Sequence, residues 1–240
     1  MPELPEVETV KNVLIPIVKD KTIRKIDVNR KTIIQGDPEE FCSYFENEKF
    51  LDITRIGKFL IFHLTNSKVL ISHLRMEGKY YEFNEDEKDS KYARVVFHLD
   101  NNKKLCYDDS RSFGIMIATS EDNYLKEKEI AKLGPEPFVI DDVSFLIKKS
   151  KNKQIPIKSN LLDQSLMTGL GNIYVDEVLY ASKIHPLTPS HLIKKNEWEE
   201  IVKNAKEILN IAIEMGGSTI KSYHPGKDID GNFQTRIKII

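Results

Sequence analysis

Between residues 22 and 120 the chain is divided into short β-branched and aromatic runs, separated by Asn, Asp or Gly. The runs are TIRKIDV, FLDITRI, KFLIFHL, KVLISHL, KYYEF, YARVVFHL, KKLCYDD and GIMIA. Runs of this kind, often spaced by about 8 to 12 residues, are typical of antiparallel all-β units. This part of the chain therefore predicts an antiparallel sandwich or barrel.

Helical spacing appears on both sides of this β region. The opening segment places apolar residues one helical turn apart after a first turn rich in Pro and Glu, which predicts an amphipathic helix from about residue 3. After GPEPF at 134–138 the helical period returns, with helices expected from Pro156, over NIYVDEVLYASK, and over a longer segment capped by Asn196 and Glu199. The final NFQTRIKII alternates like a strand. The predicted fold class is α+β.

Composition excludes several classes of protein. The 240 residues hold only two cysteines, Cys42 and Cys106, so neither a disulfide framework nor a four-cysteine zinc site is expected, and both thiols are predicted to be buried and inert. No stretch is apolar enough to span a membrane, and the amino terminus does not resemble a signal peptide. We therefore expect a soluble, cytoplasmic protein without membrane contact.

The net charge of −1 argues neither for nor against a polyanionic partner. Distribution is more informative, because base concentrates in KKSKNKQIPIK at 148–158 and acid in EFNEDEKDS at 82–90. The basic segment is interpreted either as part of a nucleic-acid-binding stripe or as a solvated loop. Charge alone leaves both interpretations open.

The amino terminus offers a candidate nucleophile. Removal of Met1 would leave Pro2 as a free secondary amine, whose pKa is far below that of lysine and is lowered further by the positive end of the following helix. Such an amine attacks electrophilic carbon to form an iminium ion, and Glu3 is an adjacent carboxylate able to move protons. The alternative interpretation is that Pro and Glu simply start a helix well.

Motifs along almost the whole chain resemble the formamidopyrimidine-DNA glycosylase family, bacterial enzymes that excise oxidised purines from DNA and then cut the strand. The matching segments, in order, are MPELPEVETV, IGKFLIF, ISHLRMEG, YDDSRSFG, LGPEP, IPIKSNLLDQ, GLGNIYVDEVLYASKIHP, GGST and DGNFQ. The resemblance implies a catalytic β-sandwich domain at 1–134, a basic linker at 135–154, and a helix-two-turn-helix DNA-binding domain at 155–240.

The same resemblance implies roles for three residues in catalysis. Pro2 would attack the sugar carbon that bears the damaged base, Glu3 would supply protons during base loss and ring opening, and Lys58 would assist elimination near a phosphate. The expected partner is double-stranded DNA containing oxidised purines or abasic sites, bound by a monomer that needs no metal or other cofactor. A catalytically weakened protein that only binds damaged or abasic DNA is the alternative.

Further residues are implied to contact DNA. A glycosylase that flips a nucleotide out of the duplex fills the gap with side chains, here called void fillers. Three residues match the family's void fillers: Met76, Arg111 and Phe113. The GLGN turn exposes amides for a phosphate, and the lesion loop at 216–231 is expected to close over the flipped base. The candidate DNA-binding residues are Met76, Arg111, Phe113, Lys153, Lys158, Asn172, Glu177, Thr219 and Tyr223.

Three departures from the family pattern stand out. Ser112 occupies the position of a second arginine, and Tyr92 that of a DNA-contacting histidine. Family members typically continue after the DGxFQ strand into a four-cysteine zinc finger, whereas this sequence ends at Ile240 and contains no C-x-x-C. On that basis we expect a form without the finger, with weakened DNA affinity and a terminal strand lacking its hairpin partner.

Overall fold

The computed structural model describes residues 1–218, 233–235 and 238. The α-helices are α1 Leu4–Val18, α2 Pro38–Phe45, α3 Lys128–Ala131, α4 Ser144–Ser150, α5 Ile157–Leu162, α6 Asn172–Ala181 and α7 Lys195–Glu214. The strands are β1 Ile23–Val28, β2 Phe50–Ile56, β3 Phe59–Leu64, β4 Lys68–His73, β5 Lys79–Asn84, β6 Ala93–Leu99, β7 Lys103–Asp108 and β8 Ile115–Ser120. Short 3-10 turns occur at Lys31–Ile33, Thr65–Ser67, Tyr124–Lys126, Pro137–Val139, Ser190–Leu192 and Phe233–Thr235.

The strands form two antiparallel four-stranded sheets, in the orders β1-β6-β7-β5 and β2-β3-β4-β8. Every second residue of a strand faces the same side, so the alternating runs bury one set of side chains between the sheets. Phe62 of β3 contacts Tyr80 of β5 there, with ring centroids 5.7 Å apart, and Phe50 contacts Phe97 in the same core. The predicted antiparallel sandwich, and with it the α+β class, is confirmed.

Helix α1 connects the two halves of the molecule. Val7, Val10 and Leu14 pack into the core of the sandwich. Leu4, at the first position of the same helix, packs into a second core formed by the helices that follow residue 134. The amino terminus is therefore held where the two cores meet, which decides the position of Pro2 and Glu3.

The second core also includes part of the segment predicted as a basic linker. Residues 135–154 contain the turn at Pro137–Val139 and helix α4. Ile140, Val143 and Leu146 are buried in the helical core beside Trp198 of α7. This segment is therefore folded into the helical half, and its lysines lie on α4 and in the turn after it, not on an extended connection.

Other boundaries differ from the prediction in small ways. Helix α7 begins at Lys195, and its amino-terminal cap is Lys194, whose N–H donates to Glu197 Oε2 at 2.7 Å, so the predicted capping pair of Asn196 and Glu199 is wrong. Of the predicted terminal strand, residues 233–235 form a 3-10 turn and most of the rest lies outside the described residues. Within the described residues, no helix combines the length and apolar character that crossing a membrane requires.

Candidate active site

The Glu3 carboxylate binds the amino terminus of helix α6 in the other half of the molecule. Glu3 Oε2 accepts hydrogen bonds from Gly171 N at 2.5 Å and Tyr174 N at 3.4 Å, and Oε1 accepts from Ile173 N at 2.9 Å. The first amides of a helix lack internal partners and carry partial positive charge, which favours a carboxylate. A Cβ at position 171 would collide with the Glu3 carboxyl carbon, so glycine in the GLGN turn is required by this contact.

Burial dominates the ionisation of Glu3. The side chain is 2% exposed, and burial raises its pKa to about 7, with a smaller rise from Glu6, although Lys58 and the helix amides oppose the change. A carboxyl group of this pKa exists in both protonation states near neutral pH. Glu3 is therefore able to donate a proton and to take one back.

Lys58 reaches the same place from the sandwich. It follows Gly57 in the turn between β2 and β3, and its Nζ donates to Leu170 O at 2.6 Å. The residue is 4% exposed, and burial lowers its pKa, with Glu3 and Glu6 opposing. The structure thus brings Glu3 and Lys58 together against the GLGN turn. The sequence predicted that amides of this turn bind a phosphate, whereas the amides of Gly171, Ile173 and Tyr174 bind Glu3.

The turn that carries Lys58 is itself fixed by a partly buried ion-pair network that the sequence analysis missed. Arg55 Nε bonds Glu8 Oε2 at 2.8 Å, and its Nη1 bonds Glu136 Oε1 at 2.6 Å. Glu136 Oε1 also accepts the N–H of Gly57 at 2.7 Å. Glu136 belongs to the LGPEP segment, so the motif marks a residue that holds the Lys58 turn. Its presence among the matching segments was the available signal.

A cavity of about 160 Å³ opens beside this cluster and is lined by Met1, Lys58, His73, Gly171 and Asn172, among others. In the chain, Pro2 lies between Met1 and Glu3, whose side chain caps helix α6. Burial lowers the pKa of His73 to about 3, so its ring is neutral at physiological pH, and its Nδ1 accepts the N–H of Arg75 at 2.9 Å. His73 was not singled out by the sequence analysis, although it stands in the matching segment ISHLRMEG.

The three predicted void fillers lie on the same face of the molecule. Met76 and Phe113 are 39% and 51% exposed and line a cavity of about 540 Å³ that also includes Met1. The Arg111 guanidinium stacks on the Phe113 ring, 4.7 Å from its centroid. Met1 lines both cavities, so the amino terminus and the candidate void fillers lie on neighbouring parts of the surface.

The candidates for backbone contact lie in the helical half. Asn172 is the first residue of α6 and lines the smaller cavity. Lys158 Nζ is paired with Asp176 at 2.8 Å, and Lys153 Nζ donates to Asn160 Oδ1 at 2.9 Å. Both lysines remain about one-third exposed, at 34% each, so their charges are accessible from solvent.

The remaining candidates for DNA contact are Glu177, Thr219 and Tyr223, and of these only Glu177 lies within the described residues. Glu177 is 4% exposed and accepts the backbone N–H of Lys238 at 2.9 Å. Its carboxylate thus holds the backbone at Lys238, and contact of Glu177 with DNA stays a prediction. Thr219 and Tyr223 lie outside the described residues. Within residues 1–218, 233–235 and 238, no cluster of three or more His, Cys, Asp or Glu is arranged to hold a metal ion.

The raised pKa of Glu3 predicts how the free energy of unfolding depends on pH. Its pKa is raised in the folded protein, to about 7. A carboxyl with a raised pKa favours the fold at low pH and loses this contribution as pH rises from its unfolded value towards 7. The glutamine side chain of the Glu3→Gln variant cannot ionise. Between pH 5 and pH 8 the free energy of unfolding of this variant is therefore expected to rise, relative to that of the wild type, by up to about 3 kcal/mol.

Denaturant unfolding of both proteins at several pH values measures this difference. Glu200→Gln, at an exposed position of α7, is the matched control and should follow the wild-type pH dependence. Hydrogen bonds lost by the amide shift the Glu3→Gln curve equally at every pH. A stability difference from wild type that stays constant across this range would contradict the raised pKa of Glu3.

Comparison with known proteins identifies the family of the chain. Residues 1–116 match the family model described as the formamidopyrimidine-DNA glycosylase N-terminal domain, and residues 133–224 match the model of its H2TH domain. The chain is 43% identical over 241 residues to formamidopyrimidine-DNA glycosylase of Mycoplasmopsis pulmonis, covering 100% of this chain and 86% of that protein. It is 42% identical over 240 residues to the Mycoplasma mobile protein of the same name, covering 100% and 87%.

Solved structures agree with the sequence relatives. A complex of wild-type Lactococcus lactis Fpg with DNA containing N7-benzyl-Fapy-dG superposes with a TM-score of 0.92 at 34% identity, covering 100% of this chain and 88% of that one. A complex of the Lactococcus lactis protein with abasic-site DNA gives 0.91 at 33% identity, with the same coverage. Fold and matches together define a DNA glycosylase of base-excision repair. The chain belongs to the formamidopyrimidine-DNA glycosylase family.

Proposed function

We propose that this protein removes oxidised purines, such as formamidopyrimidines and 8-oxoguanine, from double-stranded DNA and cuts the resulting abasic strand. The observation that carries the proposal is the buried Glu3 carboxyl beside Pro2, held by the α6 amides and facing Lys58. An amine, a carboxyl that titrates near neutrality and a buried cation are the groups that iminium chemistry on a sugar needs. Processing of Met1 is part of the proposal, because it frees the Pro2 nitrogen.

In the first half of the reaction, the Pro2 nitrogen attacks the sugar carbon C1′ of the damaged nucleotide. The bond from C1′ to the base breaks, and the base leaves with the bonding electrons and a proton supplied by Glu3. The nitrogen then passes its own proton to Glu3. Opening of the sugar ring breaks the C1′–O4′ bond, and Glu3 supplies the proton that O4′ takes up. The product is a C1′ iminium ion that joins protein and DNA.

In the second half, the iminium acts as an electron sink. Loss of a proton from C2′ sends its electron pair towards C1′, and the bond to the 3′ phosphate breaks by elimination. Glu3, now ionised, accepts a proton, and the Lys58 cation stabilises the phosphate charge. Water finally hydrolyses the iminium and regenerates the amine. No step draws on a metal ion or nucleotide.

The wider surface supports a DNA substrate. A glycosylase reaches its target atom by turning the nucleotide out of the duplex, and exposed apolar side chains fill the gap. Met76 and Phe113 are exposed on the face that carries the amino terminus, and in this proposal Arg111 contacts the base left without a partner. The related Lactococcus lactis protein has been crystallised with abasic-site DNA, and its G226P mutant with Fapy-dG DNA, which favours the same substrates here.

Borohydride trapping with a duplex containing one oxidised guanine tests the proposal. Reduction of the iminium leaves a stable protein–DNA adduct, and peptide mapping by mass spectrometry should place it on Pro2. An undamaged duplex is the control and should give no adduct. Absence of an adduct on both oxidised and abasic DNA, with binding retained, would favour a protein that recognises damage without turnover.

A separate prediction concerns the base opposite the lesion. Within the described residues, the Arg111 guanidinium stacks on Phe113 and makes no hydrogen bond to another residue, so its donors are open to a base. Arg111→Ala should relax discrimination between opposite bases by about 1–3 kcal/mol, the value of one well-placed contact to a base edge. Excision rates opposite each of the four bases measure it, with Arg24→Ala, exposed on β1, as control. Unchanged opposite-base preference would return Arg111 to a structural role.

A further inference from the structure

Two loops carry the three candidate void fillers. Residues 74–78, between β4 and β5, form wedge loop 1 and include Met76. Residues 109–114, between β7 and β8, form wedge loop 2 and include Arg111 and Phe113. Exposed loops ordinarily move, so a side chain that must enter the duplex from such a loop needs something to fix its backbone.

In wedge loop 2 that something is the side chain of Asp109. The residue is 1% exposed, and its carboxylate accepts four backbone N–H groups from the loop that follows it. Oδ1 bonds Arg111 N at 3.0 Å and Ser112 N at 2.9 Å, and Oδ2 bonds Phe113 N at 2.9 Å and Gly114 N at 2.8 Å. Successive amides curled around an anion form a nest, and hydrogen bonds to an ionised acceptor are the strong ones.

The conformation that the carboxylate holds is not one the chain adopts readily by itself. Ser112, between the two candidate void fillers, has a φ of 55°, in the left-handed region that non-glycine residues rarely occupy. Arg94 fixes the start of the loop, because its Nε donates to the Asp109 carbonyl oxygen at 2.7 Å. Arg111 and Phe113 thus lie on a backbone segment, residues 111–114, in which each N–H group is bound by Asp109.

The two wedge loops are also joined to each other. Ser110 Oγ of wedge loop 2 donates a hydrogen bond to Glu77 Oε2 of wedge loop 1. Both loops end in a glycine, Gly78 or Gly114, that lies so close to the Tyr107 hydroxyl that a Cβ at either position would collide with it. The two loops therefore rest on one side chain, and the Glu77–Ser110 bond sets their spacing.

We infer that Asp109 is a positioning residue for duplex invasion, and that the Glu77–Ser110 bond extends its effect to Met76. The inference rests on the proposed void-filling role of Met76, Arg111 and Phe113. Asp109 touches no DNA. Before DNA binds, it holds wedge loop 2 in the conformation that enters the duplex. The conformational entropy of this loop is therefore lost during folding and not during base flipping.

Asp109→Asn tests this, because the amide keeps the size of the side chain but turns one acceptor into a donor that faces backbone N–H groups. A fluorescent base analogue beside the lesion reports unstacking when the wedge enters the duplex. We expect this signal to fall, and kcat/KM on lesion duplexes to drop about ten- to a hundredfold, as misplacement of a positioned group does. Strand cutting of a single-stranded abasic oligonucleotide, which needs no wedge, should stay at the wild-type rate.

The control is Asp142→Asn, because Asp142 also accepts a backbone N–H, from Ser144 at 3.0 Å, but lies at the start of α4. It should behave as wild type in every assay. An Asp109→Asn protein that loses activity equally on duplex and single-stranded DNA, or that keeps the full unstacking signal, would overturn the inference. Phe113→Ala serves as the reference for a wedge that is absent.

The reference separates failure of this inference from failure of the proposed function. If Phe113→Ala lowers the unstacking signal and Asp109→Asn does not, void filling stands and Asp109 has no positioning role. If Phe113→Ala changes nothing, void filling itself is wrong and the inference falls with it. If the Asp109→Asn protein does not fold, variants of the exposed Glu77–Ser110 hydrogen bond provide the test. Glu77→Ala is expected to lower the unstacking signal. Glu77→Gln, which keeps an acceptor for Ser110, is expected to retain it. Equal signals from these two variants would count against the inference.

Discussion

Protein that retains Met1 is expected to form no borohydride-trapped adduct with abasic or oxidised DNA, whereas the same preparation freed of Met1 forms it readily. With Met1 attached, the Pro2 nitrogen belongs to a peptide bond, and its lone pair is delocalised into the carbonyl group. It therefore cannot attack C1′, and the entire covalent route is lost. We expect a fall of at least about 10⁴-fold in adduct yield and in strand cutting.

The experiment compares one protein before and after treatment with a methionine aminopeptidase, with the terminus of each sample established by mass spectrometry. Binding to a duplex with a stable abasic analogue should be similar in the two, because Lys158 and Asn172 are untouched. The adducted peptide identifies the nucleophile, since Lys58 also carries an amine of lowered pKa. An adduct on Lys58, or full activity with Met1 in place, would show that Pro2 is not the nucleophile.

The sandwich was predictable because its signal is local. Alternation along the runs from TIRKIDV to GIMIA places one face of each strand in the core, and the observed sheets use that face. Helix α1 was predictable for the same reason, from Val7, Val10 and Leu14 at helical spacing. The boundary of α7 was not, because Lys194 and Asn196 both precede a glutamate by three residues, and only packing decides which pair forms the cap.

The site was predictable as a set of residues but not as a set of contacts. The chemistry of a free amino-terminal proline suggested Pro2 and Glu3, and family resemblance added Lys58. Periodicity and composition did not connect the three. What the sequence could not indicate is that Glu3 caps a helix 168 positions away, or that Arg55 and Glu136 fix the turn before Lys58. Contacts of this range depend on how the two cores dock, and no spacing rule reports that.

The wedge loops show the same limit. Arg111 and Phe113 follow from the SRSFG segment, whereas the function of Asp109 is visible only once four amides are seen around one carboxylate. A single aspartate before a polar turn is ordinary in sequence, because Asp commonly bonds nearby backbone in turns. The number of amides and the burial of the carboxylate make it exceptional, and both are properties of the folded chain.

Glu3→Gln is expected to depress base excision by about 10²- to 10⁴-fold, the usual contribution of a positioned general acid or base. The amide has nearly the shape of the carboxyl group, but it donates no proton to the leaving base or to O4′ and accepts none. Strand cutting at a preformed abasic site should fall much less, because that reaction needs no departure of a base. Single-turnover rates on an oxidised-guanine duplex and on an abasic duplex measure the two effects separately.

The comparison between substrates also distinguishes catalysis from structure. The side-chain amide of the Glu3→Gln variant would offer one acceptor oxygen where Glu3 offers two to Gly171, Ile173 and Tyr174, so the α6 amino terminus loses part of its cap. A displaced α6 would harm both reactions equally, because it also moves Asn172 and the carbonyl that holds Lys58. Equal losses on the two duplexes would therefore show that Glu3 acts by anchoring the helical half, and a selective loss of excision shows that its proton is used in releasing the base.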